Sequence, residues 1–566
     1  MHKVPFLTPR RKFDILFPER EMLALKKRIF TGILCIFVIL CLICAGIMIK
    51  RGYSIGYVIT RLCEKAEMKI SNKQVELINQ PDSRVINEWT KGYTISVPLD
   101  MEVNTDYYEE YITAENETLT VVLTREWAPY EDVLWYIENY QNNYILNDNY
   151  REKNNISLIK NESFKFKGRD ARLLNVERSG NENHKNNYTY FYVLAENAPQ
   201  AFFRIMAKTS NYEKDAVVIE EIINSFEEIS IKGEAKNNKK HKRAKKDFDA
   251  DTKKLYKSIL NTDKIKWGIF VDGAYTKDDE LAHLLDIEKK TESNFEFSLH
   301  YVNLDGKFPA QELERLYNQG KYTELTLQIS NHYNSDLFGK NPNFDVYDGL
   351  MDDKIREFAR GAKKFGKPFL FRLNNEMNSD WVNYSGVAAL SDPEIFRSNW
   401  IRIYDIFRQE GVNNAIWIFN PNNEDCPPCH WNSYLAYYPG DEYVDMIGMT
   451  GYNTGTYYYE VFNETWRTFD EINLLQYEKL MAGFEDFPFI ITEFASSSVG
   501  GDKEKWIEDM FESIKKYPNI KMALWWSSRD YDFRDETYTK VARPYFLDET
   551  EGTLNAFKEG MKKYTK

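Results

Sequence analysis

Lys367-Pro368-Phe369-Leu370-Phe371-Arg372-Leu373, followed by Asn374-Asn375-Glu376-Met377-Asn378-Ser379-Asp380-Trp381, is a short apolar run that stops on a cluster of polar groups. Such a run, bounded by Lys-Pro and Asn-Asn, fits a strand buried on both faces of a parallel sheet. The design recurs in Phe487-Pro488-Phe489-Ile490-Ile491-Thr492, which ends on Glu493-Phe494-Ala495-Ser496. Outward from these two, comparable runs at 265–271, 295–301, 324–329, 415–419, 445–450 and 521–526 bring the strand count to eight, with 368–373 and 489–492. Amphipathic helices are expected between them at 278–290, 309–318, 352–365, 393–410, 464–484 and 502–516; Phe396, Trp400, Ile403 and Phe407 show the three- and four-residue spacing. Eight alternating β/α units predict a (β/α)8 barrel, of the α/β class, over 263–566.

In such a barrel the chemistry sits where strands end, at the C-terminal face. Glu376 ends the fourth expected strand and Glu493 the seventh, so the two can face each other across the mouth. Cleavage of a glycosidic bond with retention uses two carboxyl groups about 5–5.5 Å apart, one protonated and one ionised. A lone Glu at a strand end is more often a surface or salt-bridged residue. The pair, with rings close by, is what points to catalysis.

The residues also carry a resemblance. Asn375-Glu376 and Glu493 match the acid/base and the nucleophile of clan A glycoside hydrolases, and Arg372…Glu376-Met377-Asn378…Trp381 resembles the R-P-x-H-E-M-N-G-x-W run of glycoside hydrolase family 26. Ile416-Trp417-Ile418-Phe419-Asn420-Pro421-Asn422 is similar to that family's fifth-strand segment, and the stretch 438–448 to the approach to its sixth. The resemblance spans 264–562 and implies a retaining endo-β-glycosidase that is mannanase-like, with β-1,4-mannan the leading substrate. Asn375 stands where the family usually has His, and Leu373 and Ser379 replace its Pro and Gly, which leaves the polymer open. In most other clan A families an Asn at this place hydrogen-bonds the sugar 2-hydroxyl.

These roles carry physical requirements. Glu376 must hold a proton near neutral pH, which calls for a raised pKa from partial burial and a neighbouring carboxylate. Tyr452, at the end of the sixth strand, sits where related enzymes place a tyrosine against the nucleophile, and reads equally as a packed loop ring. Arg372 favours an ionised Glu493, or else makes a salt bridge inside the barrel. Trp525 and Trp526 are neighbours on one strand, so one points inward and floors the sugar site while the other faces a helix. Trp381 and Trp431 either stack on sugars or brace their loops. His332 and His430 have no partner at metal-ligand spacing, so neither a metal nor any other cofactor is expected.

The rest of the 566-residue chain is organised around this barrel. Residues 30–49, FTGILCIFVILCLICAGIMI, carry no charge over a length that spans a bilayer. Arg10, Arg11, Lys12, Arg20, Lys26, Lys27 and Arg28 precede them, so a single-pass anchor with 1–29 cytoplasmic and all later residues outside is expected. A long n-region and the lack of an A-x-A site argue against a cleaved signal peptide. A spacer is expected over 50–88, then a small α+β domain with an antiparallel sheet over 89–229, loosely similar to PsbP-like domains in order and length. The Lys-rich stretch 230–262 reads as a solvated linker. Cys426-Pro427-Pro428-Cys429 stands apart from the other cysteines and suggests a local loop disulfide.

A net charge of −13 argues against a nucleic-acid partner. An aromatic content of 15% exceeds what a core needs and suits stacking on sugar rings. The partners expected are therefore a polysaccharide and the membrane, with protein partners left open. Three other readings stay open: a barrel that binds exopolysaccharide without turnover, an interaction protein in which the 89–229 domain docks a partner and the barrel is secondary, and a transglycosylase in polysaccharide processing.

Overall fold

The computed structural model describes residues 74–565 apart from 182–184, 197, 237–238, 305–306 and 331–336. The apolar run at 30–49 with its basic flank lies outside the described residues, as does His332. Among the described residues no helix is long and apolar enough to cross a membrane.

The chain first builds two antiparallel sheets. One has the order β1 (Val75–Asn79), β2 (Ser83–Glu88), β3 (Tyr93–Pro98), β11 (Glu227–Glu228). The other runs β4 (Glu102–Asn104), β5 (Ile112–Glu115), β6 (Leu119–Trp127), β10 (Ala201–Thr209), β9 (Lys185–Leu194), β8 (Arg169–Ser179), β7 (Ile156–Phe166). The helix Tyr212–Ser225, capped by Asn211, packs Ile219, Ile222 and Ile223 on the core of Ile95, Val97, Leu123 and Phe203. The unit is mostly strand, where the sequence suggests a more even α+β mixture. Its first two strands lie in the stretch that reads as a spacer. The reason is visible in β1, four of whose five residues are exposed, so that only backbone pairing with β2 marks it as a strand. Such pairing leaves no hydrophobic period to read.

The Lys-rich stretch behaves differently from a solvated linker. His241 is buried, stacked on Phe484 at 4.4 Å and 2.7 Å from Asp441. The backbone N–H groups of Lys242 and Arg243 donate to Asp441 and Asp486, and Lys239 reaches Asp106. The acids that receive these groups are distant in sequence, which is why composition alone suggests solvation. The helix Ala250–Leu260 then sets Leu255 and Ile259 beneath the barrel as its floor.

The barrel closes in the order β12 (Lys266–Val271), β13 (Phe297–Asn303), β14 (Tyr322–Gln328), β15 (Phe369–Leu373), β16 (Ala415–Phe419), β17 (Met446–Asn453), β18 (Phe489–Ser496), β19 (Ile520–Ser527), all parallel. Strand alternation divides the side chains. Leu299, Leu370, Ile418, Met446, Ile490 and Leu524 fill the lower interior above Leu255 and Ile259, while Phe371, Leu373, Ile491 and Phe494 face the helices.

The two units share a core. Tyr136, Tyr144, Tyr150, Tyr188 and Tyr190 of the first pack on Phe344, Leu390, Ile395 and Trp431 of the second. Arg178 grips Asp348 in a buried fork, at 3.1 and 2.6 Å. Cys426 and Cys429 are free thiols. The expected disulfide is absent because Cys429 is turned toward the first unit, where its Sγ accepts from Gln141 Nε2 at 3.0 Å and lies 3.3 Å from the Tyr136 hydroxyl.

Candidate active site

Above the apolar floor the barrel interior turns polar, and its centre is Arg372. Alternation along β15 points Leu370 and Arg372 inward, and Arg372 is completely buried. Its Nε lies 2.8 Å from both Thr326 Oγ1 and Glu324 Oε1, its second terminal nitrogen 2.7 Å from Glu493 Oε1, and its first donates to Asn420 Oδ1 at 2.8 Å. Burial alone would push the guanidinium toward neutrality; Glu324 and Glu493 overrule it and hold its pKa above the ordinary value. Burial raises the Glu324 carboxyl to about 7 against the pull of Arg372.

Past Leu373 the chain turns sharply. Asn374 and Glu376 have φ of 50° and 58°, in the left-handed region that a Glu rarely adopts. Neighbouring strands hold the turn: Asn374 Oδ1 accepts from the Ile329 N–H at 2.8 Å, and the Glu376 N–H donates to the Asn420 carbonyl, just past β16, at 2.8 Å. Strain of this kind persists where surrounding contacts over-determine it, and it concentrates at functional sites. The Glu376 carboxyl is pushed up to about 8, first by burial and then by the charge of Glu493; Arg372 and a hydrogen bond from Trp381 act in the opposite direction.

Glu493 reaches the interior through a β-bulge. Strict alternation from Ile490 would place Thr492 inside and Glu493 outside. The β17–β18 register shifts instead, Met449 pairing with Ile491 and Thr450 with Glu493, so Thr492 is supernumerary and both side chains face in. Thr492 Oγ1 donates to Asn420 Oδ1 at 2.9 Å. Tyr452 donates to Glu493 Oε2 at 2.7 Å, and Tyr301 also hydrogen-bonds this carboxylate. Burial, then the charge of Glu493, lifts both phenols well above their ordinary value, so they stay neutral donors.

Asn375 is buried, its Oδ1 accepting from Gln328 Nε2 at 2.9 Å and from the Tyr384 hydroxyl at 3.1 Å, which leaves its amide nitrogen as a donor beside Glu376. Trp526 is the inward ring of its pair, stacked on Phe270 at 5.4 Å and edge-on to Tyr452 at 6.0 Å. Trp525 is not part of the site. It packs outward among Phe494, Trp506 and Phe557, with Nε1 donating to the Tyr545 carbonyl at 2.9 Å, because alternation assigns it to the helix side. Trp381 is half exposed at the rim. Trp431 is buried against the first unit, under Arg204, and braces its loop. His430 is held by Glu110 at 2.6 Å and Lys91 at 3.2 Å, away from the site. Among the described residues no cluster of three or more His, Cys, Asp or Glu side chains could hold a metal ion.

Glu324, Thr326, Gln328, Tyr301, Asn420 and Tyr384 also belong to this arrangement, and a reading confined to strand ends misses them. A signal exists in β14, where Glu324, Thr326 and Gln328 recur at every second residue of a strand otherwise made of apolar and β-branched residues. Polar groups on one face of a buried parallel strand mark the lumen.

The family model for Glycosyl hydrolase family 26 matches residues 327–517, which bears out the resemblance over this C-terminal region. Endoglucanase H of Acetivibrio thermocellus is 32% identical over 238 residues, 41% of this chain and 25% of its own length. Mannan endo-1,4-beta-mannosidase A and B of Caldalkalibacillus mannanilyticus is 25% identical over 243 residues, 39% of this chain and 42% of its own. The solved GH26 beta-mannanase from Bacteroides ovatus aligns at 18% identity with a TM-score of 0.40, covering 56% of this chain and 93% of that one. The chain therefore matches less than half the length of either curated relative.

Proposed function

We propose, from a C-terminal barrel matched by glycoside hydrolase family 26, that this protein hydrolyses a β-linked polysaccharide internally and with retention. Glu376 is the acid/base and Glu493 the nucleophile. The observation that carries the reading is the contrast between the two carboxyls. Glu376 is pushed up to about 8 and so carries a proton at neutral pH, whereas Glu493 has one oxygen 2.7 Å from the Arg372 guanidinium and the other accepting from the Tyr452 hydroxyl at 2.7 Å.

In the first step Glu493 attacks the anomeric carbon while Glu376 gives its proton to the leaving oxygen. In the second Glu376, now ionised, takes a proton from water, which displaces the carboxylate. The Asn375 amide nitrogen is placed to donate to the sugar 2-hydroxyl, and Trp526 forms the floor beneath the sugar being cleaved. β-1,4-Mannan is the leading substrate, since relatives such as the Caldalkalibacillus mannanilyticus enzyme are named for it, and a β-glucan is the second. The apolar run at 30–49 supports a single-pass anchor with the barrel outside the cell.

The test is release of reducing ends from β-1,4-mannan, mixed-linkage β-glucan and β-xylan by the chain after Lys50, beside Glu376→Ala and Glu493→Ala. Turnover by the wild type above both variants on at least one polymer is expected, with the β-anomer formed first by NMR. Equal release by all three proteins on every polymer overturns the reading, and an α-anomer overturns retention.

A further inference from the structure

Three half-exposed rings lead away from the catalytic pair and across the boundary between the two units. Trp381, which hydrogen-bonds Glu376, is 46% exposed. Tyr130 and Trp135, on the loop and the short helix Val133–Tyr136 of the first unit, are 45% and 48% exposed. A continuous set of contacts joins them. Asp380, next to Trp381, accepts from the Tyr140 hydroxyl at 2.6 Å. Tyr140 stacks on Tyr136 at 5.5 Å, Tyr136 meets Tyr130 at 5.8 Å, and Tyr130 meets Trp135 edge-on at 5.6 Å.

Packing accounts for Tyr136, which is fully buried. It does not account for Tyr130 and Trp135, which leave nearly half their surfaces open beside that core. We propose that this aromatic run is a distal subsite of the cleft, where the first unit binds further sugar residues of a β-linked polysaccharide chain threaded past Glu376. The proposal rests on the reading of the barrel as a polysaccharide hydrolase. Tyr and Trp rings offer a broad apolar face and a polar edge at little conformational cost, which suits the C–H face and hydroxyl rim of a sugar. The rings hold one another, so a ligand does not have to order them. The Tyr140–Asp380 bond ties these rings to the segment next to Trp381, and so to the acid/base, which sets them apart from a separate binding module.

The experiment uses the full chain and the double variant Tyr130→Ala/Trp135→Ala. The substrates are whichever of β-1,4-mannan, mixed-linkage β-glucan or β-xylan the wild type cuts, and the tetrasaccharide of that polymer. Loss of two stacking rings is expected to raise the ratio of polymer KM to tetrasaccharide KM by about tenfold. Retardation in a native gel cast with the polymer should weaken in parallel, while Glu376→Gln keeps its retardation. An unchanged ratio and unchanged retardation, in a preparation whose wild type is active, overturn the subsite and leave the hydrolase reading intact. A wild type that turns over no polymer overturns the hydrolase reading and the subsite with it.

Discussion

Replacing Glu376 by Gln is expected to abolish turnover and to make the fold more stable at neutral pH. The folded carboxyl titrates at about 8, against an ordinary value of 4.5, because burial and Glu493 both disfavour its charge. A raised carboxyl pKa contributes stability that is fully present below 4.5 and is lost as pH climbs through the window to 8, since the unfolded chain releases a proton that the folded chain keeps. At pH 7 the loss reaches about 3 kcal/mol, at roughly 1.4 kcal/mol per pH unit over the interval already crossed. That figure is an upper bound, because part of Glu376 is open to solvent at the mouth. A Gln in the same place never ionises and escapes the loss. The assay is calorimetric melting of both proteins from about pH 5 to about pH 8. The wild-type Tm should fall by several degrees more than that of the variant across the range, at roughly 2–4 °C per kcal/mol. Parallel curves would refute the reasoning, since they would mean that the folded protein and the unfolded chain release this proton together.

The same carboxyl sets the alkaline limb of activity: kcat/KM on a neutral polymer should hold below and decline as pH rises through about 8, when Glu376 loses the proton it must donate, and a profile flat to about pH 10 would contradict it. Tyr452→Phe removes the hydroxyl bond to Glu493, a charge-assisted contact of about 1.5–3 kcal/mol, so kcat should drop roughly 10- to 100-fold with KM little changed in initial-rate kinetics. Arg372→Met leaves Glu324 and Glu493 buried without their cation, and urea denaturation should show a loss of about 3–5 kcal/mol, beyond what Glu493→Gln shows alone.

Most of the barrel is legible because its strands are short apolar runs between amphipathic helices, a pattern that the closed sheet repeats; β16 occupies the expected 415–419. The placement of Glu376 follows from the rule that strand ends carry the chemistry. What escapes is set by contacts between distant parts of the chain. Nothing in the adjacent pair Trp525-Trp526 says which ring faces in. β1 and β2 carry no hydrophobic period, and the Lys-rich stretch 230–262 docks only because Asp106, Asp441 and Asp486 lie under it. Cys429 pairs by sequence with its nearest cysteine, yet its partners, Tyr136 and Gln141, come from the other unit.

The supernumerary Thr492 has a consequence for how this site tolerates change. A regular strand presents one side chain to the lumen at every second residue, but here a single rung presents two, a hydroxyl and a carboxylate. Removing Thr492 would restore a regular ladder with Glu493 still facing in, at the expense of the hydroxyl that anchors Asn420. Adding one residue between Ile491 and Glu493 that the bulge could not absorb would rotate the carboxylate out among the helices and present Phe494 to the lumen instead. Composition would hardly differ among the three chains, and only two of them would keep this carboxylate facing the lumen. This strand can lose a residue at the bulge and keep Glu493 facing in, but it cannot gain one.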